Sequence, residues 1–89
     1  MPAVTAQVSL YPLRQAHLGP AITAAVDRFR EAGLDIWEGP MSTVVAGELN
    51  TVCASLRDAF ASAAAQGEAV LVVTISNGCP VPDQTSAAG

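Results

Sequence analysis

Aromatic residues are scarce in this 89-residue chain, which has one tryptophan, one tyrosine and two phenylalanines. Yet 51% of its residues are hydrophobic, so Ala, Val and Leu supply the bulk. A core of small side chains implies helices packed closely on a sheet. Basic residues are also few. There is no lysine, and four arginines stand against eight acidic residues, for a net charge of −4. Such a chain cannot lay a positive stripe along a phosphate backbone, which argues against nucleic acid as a partner. Cys53 and Cys79 are not in CxxC spacing, and the single histidine, His17, is remote from both. A structural zinc site normally needs four ligands, so no metal is expected. Nothing resembles a signal peptide, and both thiols are expected to be free in a reducing cytoplasm. The longest apolar stretch, Ala69–Ile75, is far too short to span a bilayer. No histidine stands at motif spacing from a nucleophile, and no paired acidic motif or glycine-rich phosphate loop is present, so the chain does not read as an enzyme.

What is present is a regular alternation of patterns. The length fits one domain, and a chain this small buries only about 60–65% of its unfolded surface. Its own core is marginal, and oligomerisation is a common remedy. Val4–Leu10 alternates apolar and polar residues as a strand with one buried face, and Pro12 is expected to end it. Leu18, Ile22, Ala25, Val26 and Phe29 recur at helical spacing, with Pro20 suited to the first turn and Gly33 to the stop. Leu34–Glu38 and Met41–Gly47 read as two strands of a hairpin turned at Gly39-Pro40. Leu49, Val52, Cys53, Leu56, Phe60, Ala63 and Ala64 mark a second helix, in which Cys53 is a buried position and Gly67 the stop. Ala69–Ser76 is a nearly all-apolar last strand. The globular part is placed at residues 1–80, with a flexible tail over 81–89.

The order β-α-β-β-α-β predicts an α+β, ferredoxin-like sandwich: a four-stranded antiparallel sheet with two helices on one face. The helices are expected to cover Val4, Ala6, Val8 and Leu10 of the first strand and Leu71, Val73 and Ile75 of the last. The open face then carries Gln7, Ser9, Tyr11, Trp37, Thr43, Val45, Val72, Thr74 and Ser76. That surface is too apolar to be simply wet and too rich in hydroxyls to be ordinary core. It reads as a subunit interface, either one whose hydroxyls satisfy each other or one that also holds a small molecule against Trp37 or Tyr11.

Three segments run a hydroxyl-bearing strand into a Pro or Gly turn: Ser9-Leu10-Tyr11-Pro12-Leu13, Gly39-Pro40-Met41-Ser42-Thr43 and Ser76-Asn77-Gly78-Cys79-Pro80. Together with Gly33-Leu34, Gly47-Glu48 and Thr74-Ile75-Ser76-Asn77, they resemble the YkoF-like thiamine-binding family over about residues 3–80. The resemblance implies a non-catalytic protein that pairs with a second copy, as a homodimer or dimer of dimers. It also implies binding of thiamine or its hydroxymethylpyrimidine moiety between sheets, in thiamine uptake or salvage, with no other cofactor. The ligand-binding set it points to is Ser9, Tyr11, Trp37, Ser42, Thr43, Glu48, Thr74 and Asn77. Each has a structural alternative. Ser42 and Thr43 can serve the turn and strand start, and Asn77 can serve an Asn-Gly turn. Glu48 can compensate a helix dipole, and Trp37 and Tyr11 can simply be buried in an interface. An ACT-like regulatory module that binds an amino acid, or a purely structural oligomerisation domain, would share the same element order.

Overall fold

The computed structural model describes residues 3–14, 19–39 and 42–78. The expectations for His17, Pro40, Met41, Cys79 and the tail from 81 to 89 lie outside these residues. Six elements follow one another: β1 (Ala3–Leu13), α1 (Gly19–Glu31), β2 (Asp35–Glu38), β3 (Thr43–Glu48), α2 (Leu49–Ala64) and β4 (Glu68–Ser76). The strands form one sheet in the order β2-β3-β1-β4, and each neighbouring pair is antiparallel. Ala25 and Phe29 of α1 and Val52 and Ala59 of α2 share one core cluster with Val4, Ala6 and Val8 of β1. Alternate residues of a strand face one side, so both helices lie on the same face of the sheet. This is the ferredoxin-like α+β fold.

Local chemistry explains the boundaries. Pro20 sits in the first turn of α1, where an N–H would have no intrahelical partner. Arg28 and Arg30 occupy the last turn, next to the negative end of the helix dipole. Leu34 N donates to Phe29 O (3.3 Å) and Gly33 N to Arg30 O (3.0 Å). With Gly33 at φ +77°, these two bonds make a Schellman stop, which needs a left-handed residue that glycine takes without strain. β1 does not end at Pro12 but runs through it to Leu13. Its pairing with β3 stops at Val8↔Thr43, while pairing with β4 continues to Leu13↔Glu68. From Ser9 onward β1 has one neighbour, and a proline in a singly paired stretch need not break a ladder on its free side. Just past that end, Arg14 takes φ +53° and its guanidinium pairs with the Glu68 carboxylate.

Glu48 caps α2. Its carboxylate accepts from Asn50 N (3.0 Å), Thr51 N (3.2 Å) and Thr51 Oγ1 (3.3 Å). The Asn50 backbone N–H, opposed by desolvation and helped by the Thr51 N–H and hydroxyl, holds the carboxyl below its ordinary value. A carboxyl whose folded value is depressed contributes stability above the unfolded value, and loses it as pH falls through the folded one. Glu48→Gln is therefore expected to melt several degrees below the parent at neutral pH. The gap should close as pH drops below the ordinary value of 4.5. An equal melting difference at pH 7 and at pH 3 would contradict the cap.

The core is built from small residues, as the composition requires. Ala6, Val45, Val52, Ala59 and Ala63 are fully enclosed, and Phe29 is the largest side chain among the buried. Cys53, expected inside, is exposed. The buried positions of α2 are Val52, Ser55, Ala59 and Ala63, so the inward stripe is centred away from Cys53 and Phe60. Ser55, a polar group in this stripe, donates to Val52 O at 2.9 Å and so needs no outside partner.

Candidate functional site

Strand register sorts the site residues onto two faces, because residues directly opposite each other point to the same side. One row crosses the sheet as Glu38↔Thr43↔Val8↔Val73. Val8 is core, so Thr43 and Glu38 lie on the helix side. The row Ile36↔Val45↔Ala6↔Ile75 is on that side too. Thr43 and Val45 are thus not on the open face, where they were expected, and Val45 is fully buried. The open face carries the row Trp37↔Val44↔Gln7↔Thr74, followed by Ser9↔Val72 and Tyr11↔Val70.

On the helix side, a cavity of about 300 Å³ opens between α1 and the sheet. Val8 and Leu10 of β1 and Leu71 of β4 form its sheet wall, and Ile22, Ala25, Val26 and Phe29 of α1 form the opposite wall. Glu38, Gly39, Ser42 and Thr43 close one end. The cavity exists for a topological reason. β2 ends at Glu38 and β3 begins at Thr43, while β1 continues to Leu13. Among the described residues the sheet is therefore two strands wide along that stretch of β1, and Ala25 is too small to fill the step. The hairpin that bounds the polar end is tied by Gly39 N donating to Ser42 O at 2.8 Å. A Cβ at Gly39 would stand 3.2 Å from that same carbonyl oxygen, tighter than ordinary contact, so glycine suits the position.

The polar end has a defined charge arrangement. Arg30 donates through Nη2 to Glu38 Oε2 (2.9 Å) and through Nη1 to Asp27 Oδ1 (3.5 Å). Ser42 lines the cavity, yet its Oγ accepts from Gln7 Nε2 at 3.3 Å, so it links the cavity end to the open face. The result is an apolar slot, lined on both sides and finished by a hydroxyl and a carboxylate from adjacent strands. Such a shape suits a flat ring with polar atoms on one edge.

The sequence-derived set does not gather at one place. Thr43 and Ser42 are at the cavity. Ser9, Tyr11, Trp37 and Thr74 are on the open sheet face. Glu48 is five residues along β3 from Thr43, about 16 Å at the rise of a strand, and its carboxylate is engaged by the start of α2. Asn77 follows β4 at that same far end, since Ser76 pairs with Thr5. There Ser76 Oγ accepts from Gly78 N at 3.0 Å. Ser42 and Asn77 are therefore at opposite ends of the sheet. Sequence reasoning missed Glu38 at the polar end and the apolar walls, among them Leu10, Ile22, Phe29 and Leu71. A usable signal for Glu38 was the hairpin itself, which sets Glu38 opposite Thr43. Among the described residues no cluster of three His, Cys, Asp or Glu could hold a metal ion, and no helix is long and apolar enough to cross a membrane.

Comparison with known proteins gives the family and supports the fold. The family model for thiamine-binding protein matches residues 6–77, and the chain belongs to that family. None of the curated proteins matches it. Among solved structures, hypothetical protein MJ1052 from Methanocaldococcus jannascii superposes with a TM-score of 0.80 at 21% identity, over 99% of this chain and 93% of that one. A candidate thiamine biosynthesis/salvage protein, TM0486 from Thermotoga maritima, gives 0.78 at 20% identity, over 98% of both chains. A DUF77 domain of unknown function from Bacillus cereus gives 0.76 at 19%, over 84% of this chain and 75% of that one. At such identities these likenesses speak to the fold.

Proposed function

We propose that this member of the thiamine-binding protein family holds thiamine or its hydroxymethylpyrimidine half in the cavity between α1 and the sheet, as a carrier or salvage protein that performs no reaction on it. The observation that carries the reading is the apolar slot ending in the Glu38–Thr43 pair. An aminopyrimidine is flat and apolar on both faces, and it has ring nitrogens that accept and an exocyclic amine that donates on its edge. Leu10, Leu71 and Phe29 offer walls for the faces. The Thr43 hydroxyl can donate to a ring nitrogen and the Glu38 carboxylate can accept from the amine. The sequence reading set the ligand between sheets; the cavity moves the proposed seat to the other side of the sheet, with Ser42 and Thr43 common to both.

The open face has a separate use in this reading. Tyr11 (50% exposed), Leu13 (40%), Val70 (43%) and Val72 (52%) form an apolar field along β1 and β4, larger than scattered surface residues would give. A second copy of the chain covering this field would bring Trp37 and Thr74 into a homodimer interface. A strictly monomeric mass by light scattering at micromolar concentration would remove that part of the reading.

Calorimetry tests the ligand. Thiamine or hydroxymethylpyrimidine is expected to bind with about −7 to −8 kcal/mol, in the micromolar range. Thr43→Val keeps the side-chain shape and removes the hydroxyl, so it should weaken binding by about 1–2 kcal/mol. Absence of binding heat for both compounds, with clear binding of an amino acid, would favour an ACT-like regulatory module instead.

A further inference from the structure

We propose that Glu38 makes the cavity selective for charge, so that it accepts a cationic or amine-bearing ring and refuses the phosphorylated form of the same ligand. This rests on the reading of the cavity as the ligand seat. Among the described residues, Glu38 is the single ionisable side chain that lines it. Its carboxylate is held by Arg30 through Oε2 at 2.9 Å, so it is a fixed feature of the hairpin end. Arg30 is itself shared with Asp27 at 3.5 Å. One guanidinium thus serves two carboxylates, and the three side chains together carry one net negative charge. Arg30 is not among the lining residues, and Arg14 is paired with Glu68 at the end of β1. The walls are apolar, which strengthens any electrostatic interaction at the polar end relative to bulk water. A phosphate ester brings a charge of about −1.5 to −2 at neutral pH and needs donors or a cation to offset it. Among the described residues, the lining offers no cation. At about 300 Å³ the cavity is at the small end of ligand sites.

The inference separates compounds that share a ring and differ in charge, and it is tested on the parent protein and on Glu38→Gln. The Arg30–Glu38 pair is about half exposed at both side chains. Such pairs contribute little to stability, so the variant should fold as the parent does, with an unchanged melting temperature. By calorimetry the parent is expected to bind thiamine at least about tenfold more tightly than thiamine monophosphate. In Glu38→Gln this ratio should fall towards one, as thiamine loses a partner and the phosphate loses a repulsion while Arg30 is freed to meet it. A ratio that stays the same in the variant would overturn the proposal. A second arm does not depend on thiamine. Benzylammonium and benzyl phosphate are titrated against the amide signals of Gly39, Ser42 and Thr43. In the parent the ammonium should shift them at lower concentration than the phosphate, and Glu38→Gln should abolish the difference. If no thiamine compound binds the parent, the thiamine reading fails and this arm decides charge selection alone. Equal response to both probes in parent and variant would overturn it.

Discussion

Phe29→Ala is expected to cost about 3–5 kcal/mol of stability. Phe29 is 1% exposed and belongs to a core otherwise built of Val and Ala. The partly buried Leu10, Leu34 and Leu71 pack against this cluster, and how far such neighbours relax sets where in that range the loss falls. It also stands in the last turn of α1, and its carbonyl accepts the Leu34 N–H that closes the helix. Domains of this size have total stabilities of roughly 5–15 kcal/mol, so one such loss removes much of the margin. Urea denaturation followed by circular dichroism measures it. A loss under about 1 kcal/mol would show that α1 is not anchored to the sheet through this ring. The same ring is a wall of the cavity, so the folded variant should also bind ligand poorly.

Ile22→Trp is expected to abolish ligand binding, by about a hundredfold or more, with the fold retained. Ile22 lines the cavity from α1 and is 41% exposed, so its side chain stands at the mouth instead of in the core. An indole there can bury its apolar surface by turning into the slot, which is favourable for it. The space it takes is the space a ring would occupy. Retained helicity and melting temperature with no calorimetric binding is the predicted outcome. Binding within about threefold of the parent would mean that the ligand sits elsewhere, and the open sheet face would be the place to look.

The elements themselves were legible because their punctuation is local. Gly33 is needed where φ is +77°, Pro20 fits a first turn, and the periodicities of α1 and β1 are those of a half-buried helix and strand. The faces of β3 were harder. A strand's sides alternate every residue, so the phase of a whole strand hangs on the turn that starts it. Thr43 and Val45 were expected to face outward, whereas their pairing with the core residues Val8 and Ala6 sends them inward. The step that makes the cavity depends on where β2 and β3 end relative to β1, a long-range property that no local pattern carries. Cys53 was misread for a related reason. The inward stripe of α2 runs through Ser55, Ala59 and Ala63, whose small or polar side chains give little hydrophobic signal beside Cys53, Leu56 and Phe60. Glu48 was read both as a helix-start residue and as a ligand partner, and its bonds to Asn50 and Thr51 account for the first role.

The position of the ligand is the central claim, and intermolecular nuclear Overhauser effects between thiamine and the methyl groups of the chain test it most directly. Contacts from the pyrimidine protons to Leu10, Ile22 and Leu71 are the predicted result, since these three methyl-bearing residues line the cavity from β1, α1 and β4. Contacts to Val70, Val72 and Val44 instead, with none to the cavity residues, would place thiamine on the open face of the sheet and contradict the account.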